Sequence, residues 1–210
     1  MFLITFEGID GSGKSTQVRR LDDYLQDAGH DTLVVREPGG TELSEQVRSL
    51  LLDPDLNVEP FAELLLFSAA RAQLVAERIR PALAAGRIVL CDRFYDSTTA
   101  YQGAGRGVAD PDWLQAFHRR VTGDLVPDRT YLVEVDPETA RVRRDGGGRD
   151  EDRMETAGDD FYERVTRAYA DLAAAHPDRF VRLDGTRSID ALHASVREDM
   201  EALLDEGQSH

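Results

Sequence analysis

The stretch FEGIDGSGKST, residues 6–16, decides the fold of this chain of 210 residues. Gly8, Gly13, Lys14 and Ser15 match the pattern GxxxxGK(S/T), in which a glycine-rich loop and the next helix surround nucleotide phosphates with backbone N–H groups. The lysine reaches phosphate oxygens and the hydroxyl binds Mg2+. An apolar strand pattern precedes the loop and an amphipathic helical pattern follows it. The stretch therefore predicts a nucleoside triphosphate site rather than an ordinary strand-turn-helix connection.

The loop also carries an acid in its middle. Asp10 stands where a bare carboxylate would repel a triphosphate by Coulomb's law. A turn aspartate that bonds its own backbone would avoid this conflict. We predict that the loop as a whole contacts ATP, through Gly8, Asp10, Gly11, Ser12, Gly13, Lys14, Ser15 and Thr16.

Five apolar runs rich in Val, Ile and Leu alternate with helical patterns along the chain. This alternation indicates an α/β fold with a parallel sheet covered by helices on both faces. The predicted strands are residues 2–6, 32–35, 88–91, 131–135 and 180–183. The predicted helices are residues 14–28, 41–52, 60–85, 112–123, 159–175 and 189–204, and Pro81 should kink or interrupt the third. No linker divides the chain, so we expect one domain over residues 1–210 with the P-loop NTPase fold.

Polar clusters follow the apolar runs. Ligands of open parallel sheets bind at the carboxyl ends of the strands, and REPGGT (36–41) and DRFYDS (92–97) directly follow the second and third runs. The glycines of EPGG permit a sharp turn, which is a purely structural reading of that segment. The segment RRDGGGRDEDR (143–153) is dense in glycine and charge and predicts an exposed loop.

Composition excludes several functions. The net charge of -15 argues against a nucleic-acid partner, because phosphate binding needs a basic patch. Lys14 is the only lysine, so the NKxD guanine motif of a GTPase is missing. Cys91 is the only cysteine and lies in an apolar run, which favours a buried thiol and excludes an internal disulfide. Neither a leader nor a membrane-spanning run is visible, and we expect a cytoplasmic protein with no membrane partner.

Six blocks of sequence form a pattern that runs almost from end to end of the chain. The blocks are FEGIDGSGKST, REPGGT, RSLLLD (48–53), LLFSAARAQL (65–74), DRFYDSTTAYQGAGRG (92–107) and DRMETAGDDFYERV (152–165). REPGGT together with DRF and AYQG in this order is highly specific, whereas the phosphate loop alone is generic. With these blocks the chain resembles bacterial thymidylate kinases. The resemblance implies a nucleoside monophosphate kinase fold with a mobile lid at about 141–155. It also implies transfer of the γ-phosphoryl of MgATP to dTMP, a step in dTTP biosynthesis, by a homodimer.

The helical block LLFSAAR places Phe67 and Arg71 on one face, four residues apart. From the residues alone, ordinary core packing is the favoured interpretation of Phe67. The resemblance implies that Phe67 stacks on thymine and that Arg71 binds its O4 oxygen. An aromatic plane beside a guanidinium suits both roles.

Asp92 and Arg93 follow the third strand, where an acid can hold Mg2+ and an arginine can clamp a phosphate, although such a pair can also be a surface salt bridge. The resemblance implies that Arg93 grips the dTMP phosphate with Arg48 nearby. From the residues themselves, we expect Ser15 and Asp92 to hold the metal, and Asp92 could instead orient the acceptor phosphate. The remaining predicted dTMP contacts rest on the resemblance too, with a helix-surface polar group or a packed aromatic as the alternative for several of them. These are Asp10 at the 3'-OH, Glu37 near the acceptor phosphate or the metal, Thr98 and Gln102 at the pyrimidine edge, and Tyr101 at the 2' position.

Phosphoryl transfer needs cations around the transferring group. Lys14 supplies one, but the variable loop positions 9–12 hold no arginine. The resemblance implies that the lid supplies the rest, with Arg149 and Arg153 as catalytic candidates and Arg143 and Arg144 next. Two rival functions stay open, a deoxynucleoside kinase that acts on a sugar hydroxyl and a regulatory module that hydrolyses ATP slowly.

Overall fold

The computed structural model describes residues 1–145 and 158–208. Within these residues, five parallel strands form one sheet in the order β2-β3-β1-β4-β5. The strands are β1 (Leu3–Glu7), β2 (Thr32–Arg36), β3 (Ile88–Asp92), β4 (Arg129–Glu134) and β5 (Phe180–Asp184). All five predicted strands are present, with ends that differ from the prediction by at most two residues, and the predicted α/β fold is confirmed.

Burial explains why the strands read as apolar runs. Every residue of the central strand β1 is buried, and so are the first four residues of β3. The edge strands β2 and β5 instead mix buried and exposed positions. Strands that helices cover on both faces need apolar side chains on both faces, whereas an edge strand does not.

The helices flank this sheet on both sides. They are α1 (Lys14–Asp27), α2 (Glu42–Leu52), α3 (Pro60–Leu74), α4 (Arg80–Ala84), α5 (Tyr95–Thr98), α6 (Pro111–Thr122), α7 (Pro137–Asp145), α8 (Asp159–Ala175) and α9 (Ile189–Gln208). Leu21 of α1 and Val196 of α9 pack with Ile4 on one face of the sheet, and Leu74 at the end of α3 packs with Leu3 on the other. None of the described helices is both long and apolar enough to cross a membrane.

The predicted helix at 60–85 is not continuous. A π-helical turn, Val75–Ile79, separates α3 from α4 and ends two residues before Pro81. Proline lacks an N–H and its ring crowds the preceding turn, which a locally wider helix relieves. The predicted interruption by Pro81 therefore takes the form of a π-helical turn.

Two helical segments were not predicted from the sequence. The first is α5, which continues into a second π-helical turn, Thr99–Gly105. Its sequence is rich in Thr and Gly and has low helix propensity, but Ala100 and Tyr101 are buried against Phe161 and Val165 of α8. Tertiary packing thus overrides local propensity in this segment.

The second is α7, which corrects the predicted exposed loop at 143–153. Asp136 caps this helix by accepting a hydrogen bond from the Thr139 N–H at 2.8 Å, and Pro137 occupies the first turn. Residues 143–145 are the last turn of α7, so the loop prediction is wrong for them. The rest of that loop and of the predicted lid, with Arg149 and Arg153, lies outside the described residues.

The sheet register brings the predicted functional segments together. Phe6 and Arg36 both pair with Asp92, so β1, β2 and β3 end at the same edge of the sheet. The phosphate loop, the EPGG turn and the segment after Asp92 all leave from this edge. Cys91 is buried just below it, and burial raises the pKa of its thiol well above the usual range.

Candidate active site

The phosphate loop between β1 and α1 requires glycine at two positions. Gly8 has φ +133°, and a Cβ there would lie 2.4 Å from the carbonyl oxygen of Val133. Gly11 has φ +83°, and a Cβ there would lie 2.4 Å from the carbonyl oxygen of Ala140 in α7. Both glycines therefore allow β4 and α7 to approach the loop backbone closely.

The side chains of Lys14 and Asp10 have different hydrogen-bond partners, although both residues belong to this loop. The Lys14 Nζ donates to the carbonyl oxygen of Ile9 at 2.8 Å, and burial together with Arg93 lowers its pKa to about 8. Asp10 lines a neighbouring pocket and pairs with Arg93, whose Nη2 lies 2.8 Å from Oδ1. Burial alone would raise the pKa of Asp10, but the charges of Arg93 and Lys14 outweigh it and lower that pKa. The acid in the loop is thus neutralised by an arginine of the pocket.

The predicted metal ligands lie together at the start of α1. The Ser15 Oγ donates to the Asp92 Oδ2 at 2.5 Å, and Ser15 is exposed. This oxygen pair fits Mg2+, which takes few protein ligands beside water and phosphate oxygens. Among the described residues no cluster of three or more His, Cys, Asp or Glu side chains could hold a metal alone.

A pocket beside the loop brings the predicted dTMP contacts together. It lies between the loop, the EPGG turn, α2, α3 and the helical segment 95–105. All nine predicted residues line it, namely Asp10, Glu37, Arg48, Phe67, Arg71, Arg93, Thr98, Tyr101 and Gln102. They come from six separate segments of the chain. The lining also includes Pro38, Leu52, Phe94 and Ser97, which lie in the quoted sequence blocks but were not singled out as contacts.

Arg71 dominates one end of this pocket. Its side chain is 1% exposed, and its Nε donates to the Glu37 Oε2 at 2.7 Å while Nη2 donates to the Thr98 Oγ1 at 2.9 Å. Its Nη1 has no partner among the described residues. A buried guanidinium with one unused donor at a pocket wall is suited to bind a carbonyl oxygen.

Gln102 is a further polar residue of the pocket lining. Its amide nitrogen donates to the buried Glu63 at 2.8 Å, so the nitrogen of the amide, and not the oxygen, faces Glu63. The amide oxygen is then the group that can accept a hydrogen bond from a ligand. Phe67 lies in the same lining and supplies an aromatic ring.

Arg93 dominates the other end. It is a non-glycine residue at φ +72°, and its guanidinium lies over the Tyr101 ring at 5.1 Å from the ring centre. Besides Asp10, it contacts the Ser97 Oγ at 2.9 Å. The Tyr101 hydroxyl lies 3.3 Å from both Arg93 and Asp10. This end is cationic but held in place by a surrounding polar network.

Glu37 forms a contact that the sequence did not indicate. Its place near the acceptor phosphate or the metal stays a prediction, and its carboxylate forms a buried ion pair with Arg71. A buried arginine needs a buried counter-charge, and Glu37 supplies it. Arg48, in contrast, lies at the pocket wall, where it donates to the carbonyl oxygen of Pro38 at 3.0 Å. The Glu37–Pro38 peptide bond is cis.

The two described lid candidates contact the outer side of the phosphate loop. Arg144 donates to the carbonyl oxygen of Asp10 at 3.0 Å and lies over the ring of Tyr162. Arg143 donates to the carbonyl oxygens of Ser12 and Gly185, at 3.5 and 3.0 Å. Both arginines therefore brace the loop from α7.

Glu7 is a further residue that sequence reasoning missed. It is the last residue of β1, fully buried, and accepts hydrogen bonds from the segment after Asp92 and from Tyr169 of α8. A signal existed, because an acid that ends an apolar strand next to a ligand loop must be compensated inside the fold. No comparable sequence signal indicates Tyr169.

Comparisons with known proteins decide the family. The family model described as Thymidylate kinase matches residues 6–196. A thymidylate kinase of Chlorobium chlorochromatii (strain CaD3) is 49% identical, over 96% of this chain and 95% of the relative. The chain belongs to the thymidylate kinase family. A thymidylate kinase of Deinococcus radiodurans is also 49% identical, over 92% of this chain and 93% of the relative.

A solved structure extends the match with thymidylate kinases to three dimensions. The crystal structure of thymidylate kinase from Ehrlichia chaffeensis has a TM-score of 0.78 and 36% identity, over 95% of this chain and 98% of the other. Thymidylate kinases are P-loop kinases, so the chain is a nucleotide-binding phosphotransferase. The predicted family, fold and enzyme class are confirmed.

Proposed function

We propose that the chain transfers the γ-phosphoryl group of ATP to dTMP, which yields dTDP and ADP for dTTP synthesis. One observation carries this proposal beyond family membership. All nine residues predicted to contact dTMP line a single pocket, and that pocket adjoins the phosphate loop. A shared wall between donor and acceptor sites is what an in-line transfer requires.

In this proposal thymine binds at the Arg71 end of the pocket. Thymine offers carbonyl oxygens and one N–H, and the unused Nη1 of Arg71 and the amide oxygen of Gln102 match the carbonyl O4 and the N3–H. Thr98 holds the Arg71 guanidinium from the side of α5. Phe67 supplies the ring on which the base stacks.

The deoxyribose and the acceptor phosphate bind toward Arg93. Asp10 accepts a hydrogen bond from the 3'-OH, and Tyr101 crowds the 2' position and disfavours a ribose. Arg93 and Arg48 pair with the phosphate, whose oxygen is already anionic near neutral pH and attacks without a strong general base. Glu37 acts through Arg71, because its carboxylate is paired with that guanidinium.

ATP binds along the phosphate loop from Gly8 to Thr16. Lys14 turns from the Ile9 carbonyl to the phosphates, and Ser15 and Asp92 hold Mg2+. Mg2+ held by Ser15 and Asp92 would neutralise charge that develops on the phosphate oxygens. Arg149 and Arg153, in a lid at about 141–155 of the single domain 1–210, supply further cations.

We also propose a homodimer and a cytoplasmic location, where ATP and dTMP are available. Exposed apolar side chains lie on α2, α3 and α6, which pack side by side, and the Phe61 and Trp113 rings are 6.2 Å apart. Leu50 and Leu65 on the neighbouring helices are each almost half exposed. Exposed apolar side chains on three helices that pack together favour a second copy of the chain. Light scattering should give twice the mass of one chain, and Leu65→Arg should give the mass of one chain.

A coupled assay of ADP production tests the activity. Acceptors are dTMP, dUMP, dCMP, AMP, GMP and thymidine at equal concentration, with MgATP in excess. We expect dTMP to be the preferred acceptor, because the pocket provides a cation for its phosphate and polar groups for its base. A preference for thymidine would indicate a deoxynucleoside kinase, and ADP production that does not depend on an acceptor would indicate an ATPase.

A further inference from the structure

Glu7 has a buried carboxylate with three hydrogen-bond donors. The Phe94 N–H donates to Oε1 at 2.7 Å, while the Ser97 Oγ and the Tyr169 hydroxyl donate to Oε2 at 2.5 and 3.0 Å. The residue is completely inaccessible to solvent. It lines neither the acceptor pocket nor the part of the loop that faces nucleotide, so the proposed catalytic steps do not use it.

The two hydroxyls that Glu7 binds are the same two that hold the guanidinium of Arg93. The Arg93 Nη1 lies 2.9 Å from the Ser97 Oγ and 3.3 Å from the Tyr169 hydroxyl. Each hydroxyl has one proton, and an ionised carboxylate only accepts. A guanidinium only donates, so both hydroxyls accept from Arg93 and each keeps its own proton for a further acceptor. Glu7 accepts both protons, and it thereby holds the two hydroxyls, which are 2.8 Å apart, beside Arg93 Nη1.

Glu7 also holds the backbone beside Arg93. The Arg93 φ of +72° is uncommon for a residue with a side chain and is kept only where the surroundings enforce it. The Arg93 N–H donates to the carbonyl oxygen of Phe6 at 3.0 Å, and the next N–H, that of Phe94, donates to Glu7. Two consecutive amides are thus bound by the end of β1.

We propose that Glu7 is a positioning residue that aims Arg93 at the phosphate of the acceptor nucleotide. Its carboxylate fixes the backbone on one side of Arg93 and the Nη1 edge of the guanidinium on the other. The Nη2 edge is left toward Asp10 and the pocket. The inference rests on the proposed function, in which Arg93 binds the acceptor phosphate.

The test compares a nucleotide with its nucleoside. Glu7→Gln keeps the size and one acceptor oxygen, but its amide nitrogen is a donor that forces at least one hydroxyl to turn. Calorimetry at about pH 8, where the carboxylate of Glu7 is ionised, should show a Kd for dTMP raised about tenfold, the value of one charge-assisted hydrogen bond. The Kd for thymidine, which has no phosphate, should change less than about twofold.

Two further variants keep the inference falsifiable. Tyr169→Phe removes the hydroxyl between Glu7 and Arg93 but keeps the carboxylate. It should raise the ratio of the Kd for dTMP to the Kd for thymidine about threefold, and it can be measured even if Glu7→Gln fails to fold. Thr5→Val is the matched control, because Thr5 lies on the same strand as Glu7 but does not contact Arg93. The substitution breaks a buried 2.8 Å hydrogen bond to Thr130 of β4. It should leave the ratio unchanged.

The outcomes separate this inference from the proposed function. A wild-type chain that does not phosphorylate dTMP refutes the proposed function. A wild-type chain that phosphorylates dTMP, together with Glu7 and Tyr169 variants whose Kd ratio for dTMP and thymidine is unchanged, overturns the role of Glu7 alone. Equal weakening of both ligands would also overturn it, because that is the result of a general loss of structure.

Discussion

The donor and acceptor halves of the active site are built in different ways. The donor half is one continuous loop of backbone amides, with glycines at positive φ and a single lysine. The acceptor half is assembled from side chains of six segments, and two of its three arginines, Arg71 and Arg93, are held by Glu37 and Asp10 in ion pairs. Backbone recognition is compact in sequence and serves any triphosphate. Side-chain recognition is dispersed, and it selects one nucleotide.

This contrast predicts that a substitution in one half leaves the binding of the other half's nucleotide unchanged. The largest effect is expected from Lys14→Met, since the chain has no other lysine and positioned cations stabilise the charge of the transferring phosphoryl group. The kcat should fall about 10³-fold. The Kd for dTMP, measured by calorimetry, should stay within about twofold of wild type. A comparable loss of dTMP affinity would mean that the halves are not separable, and circular dichroism checks the fold.

Glu7, whose hydrogen-bond partners hold Arg93 of the acceptor half, should also make stability depend on pH. Burial, followed by the charge of Asp96, raises the pKa of Glu7 to about 7, although Arg93 opposes the shift. The folded state therefore binds the proton more tightly than the unfolded chain, whose value is 4.5. Its contribution to stability is complete below pH 4.5 and is lost as pH rises through about 7.

Urea unfolding across this pH range measures the contribution. The free energy of unfolding of wild type, minus that of Glu7→Gln, should decrease by about 3 kcal/mol as pH rises from 4.5 to 7. Lys14 of α1, Asp96 of α5 and Arg179 near β5 also interact with Glu7, and all are present in both proteins. If the free energy of unfolding changed with pH in the same way in both proteins, the raised pKa of Glu7 would be contradicted.

A somewhat smaller effect is expected at the base end of the pocket. Arg71→Lys keeps a cation beside Glu37, so the buried carboxylate stays paired, but lysine has no second nitrogen to reach the base. The KM for dTMP should rise about 50-fold, in the range of a hydrogen bond from a charged donor. The KM for ATP should not change, because the donor half does not use Arg71. A matching rise in the KM for ATP would indicate a structural defect.

The same contrast explains what the sequence could predict. The donor half was predicted from four residues of one local pattern, because the loop is contiguous. Phe67 and Arg71 show only an i, i+4 spacing that core helices share, and the resemblance was needed to give them roles. The partner of Arg71 was not predictable, because Glu37 is 34 residues away in sequence and a buried ion pair has no local signature.

The secondary structure shows both kinds of error. The α7 helix has a readable start, with Asp136 as cap and Pro137 in the first turn, but the glycine run that follows favoured a loop. The helical segment 95–105 has no such signal, because its low propensity is overridden by packing against α8. Its prediction would have required knowledge of the tertiary fold.

Asp10 is the one side chain that belongs to both halves, and it should give the smallest effect. It lies in the phosphate loop but pairs with Arg93, so we propose that its carboxylate reads the acceptor's 3'-OH. Asp10→Asn keeps an acceptor oxygen and removes the charge, which weakens the hydrogen bond by about 1 kcal/mol. The preference for dTMP over its 3'-deoxy analogue, as a ratio of Kd values, should fall about fivefold.

The control for Asp10→Asn is the Kd for ATP. If the carboxylate faced the triphosphate, its neutralisation would relieve Coulomb repulsion and tighten ATP binding. If it faces the acceptor, ATP binding should be nearly unchanged and only the 3'-OH preference should respond. A variant that binds ATP several-fold more tightly, with an unaltered 3'-OH preference, would assign Asp10 to the donor half. It would also restore the conflict between this acid and the phosphates, which pairing with Arg93 otherwise resolves.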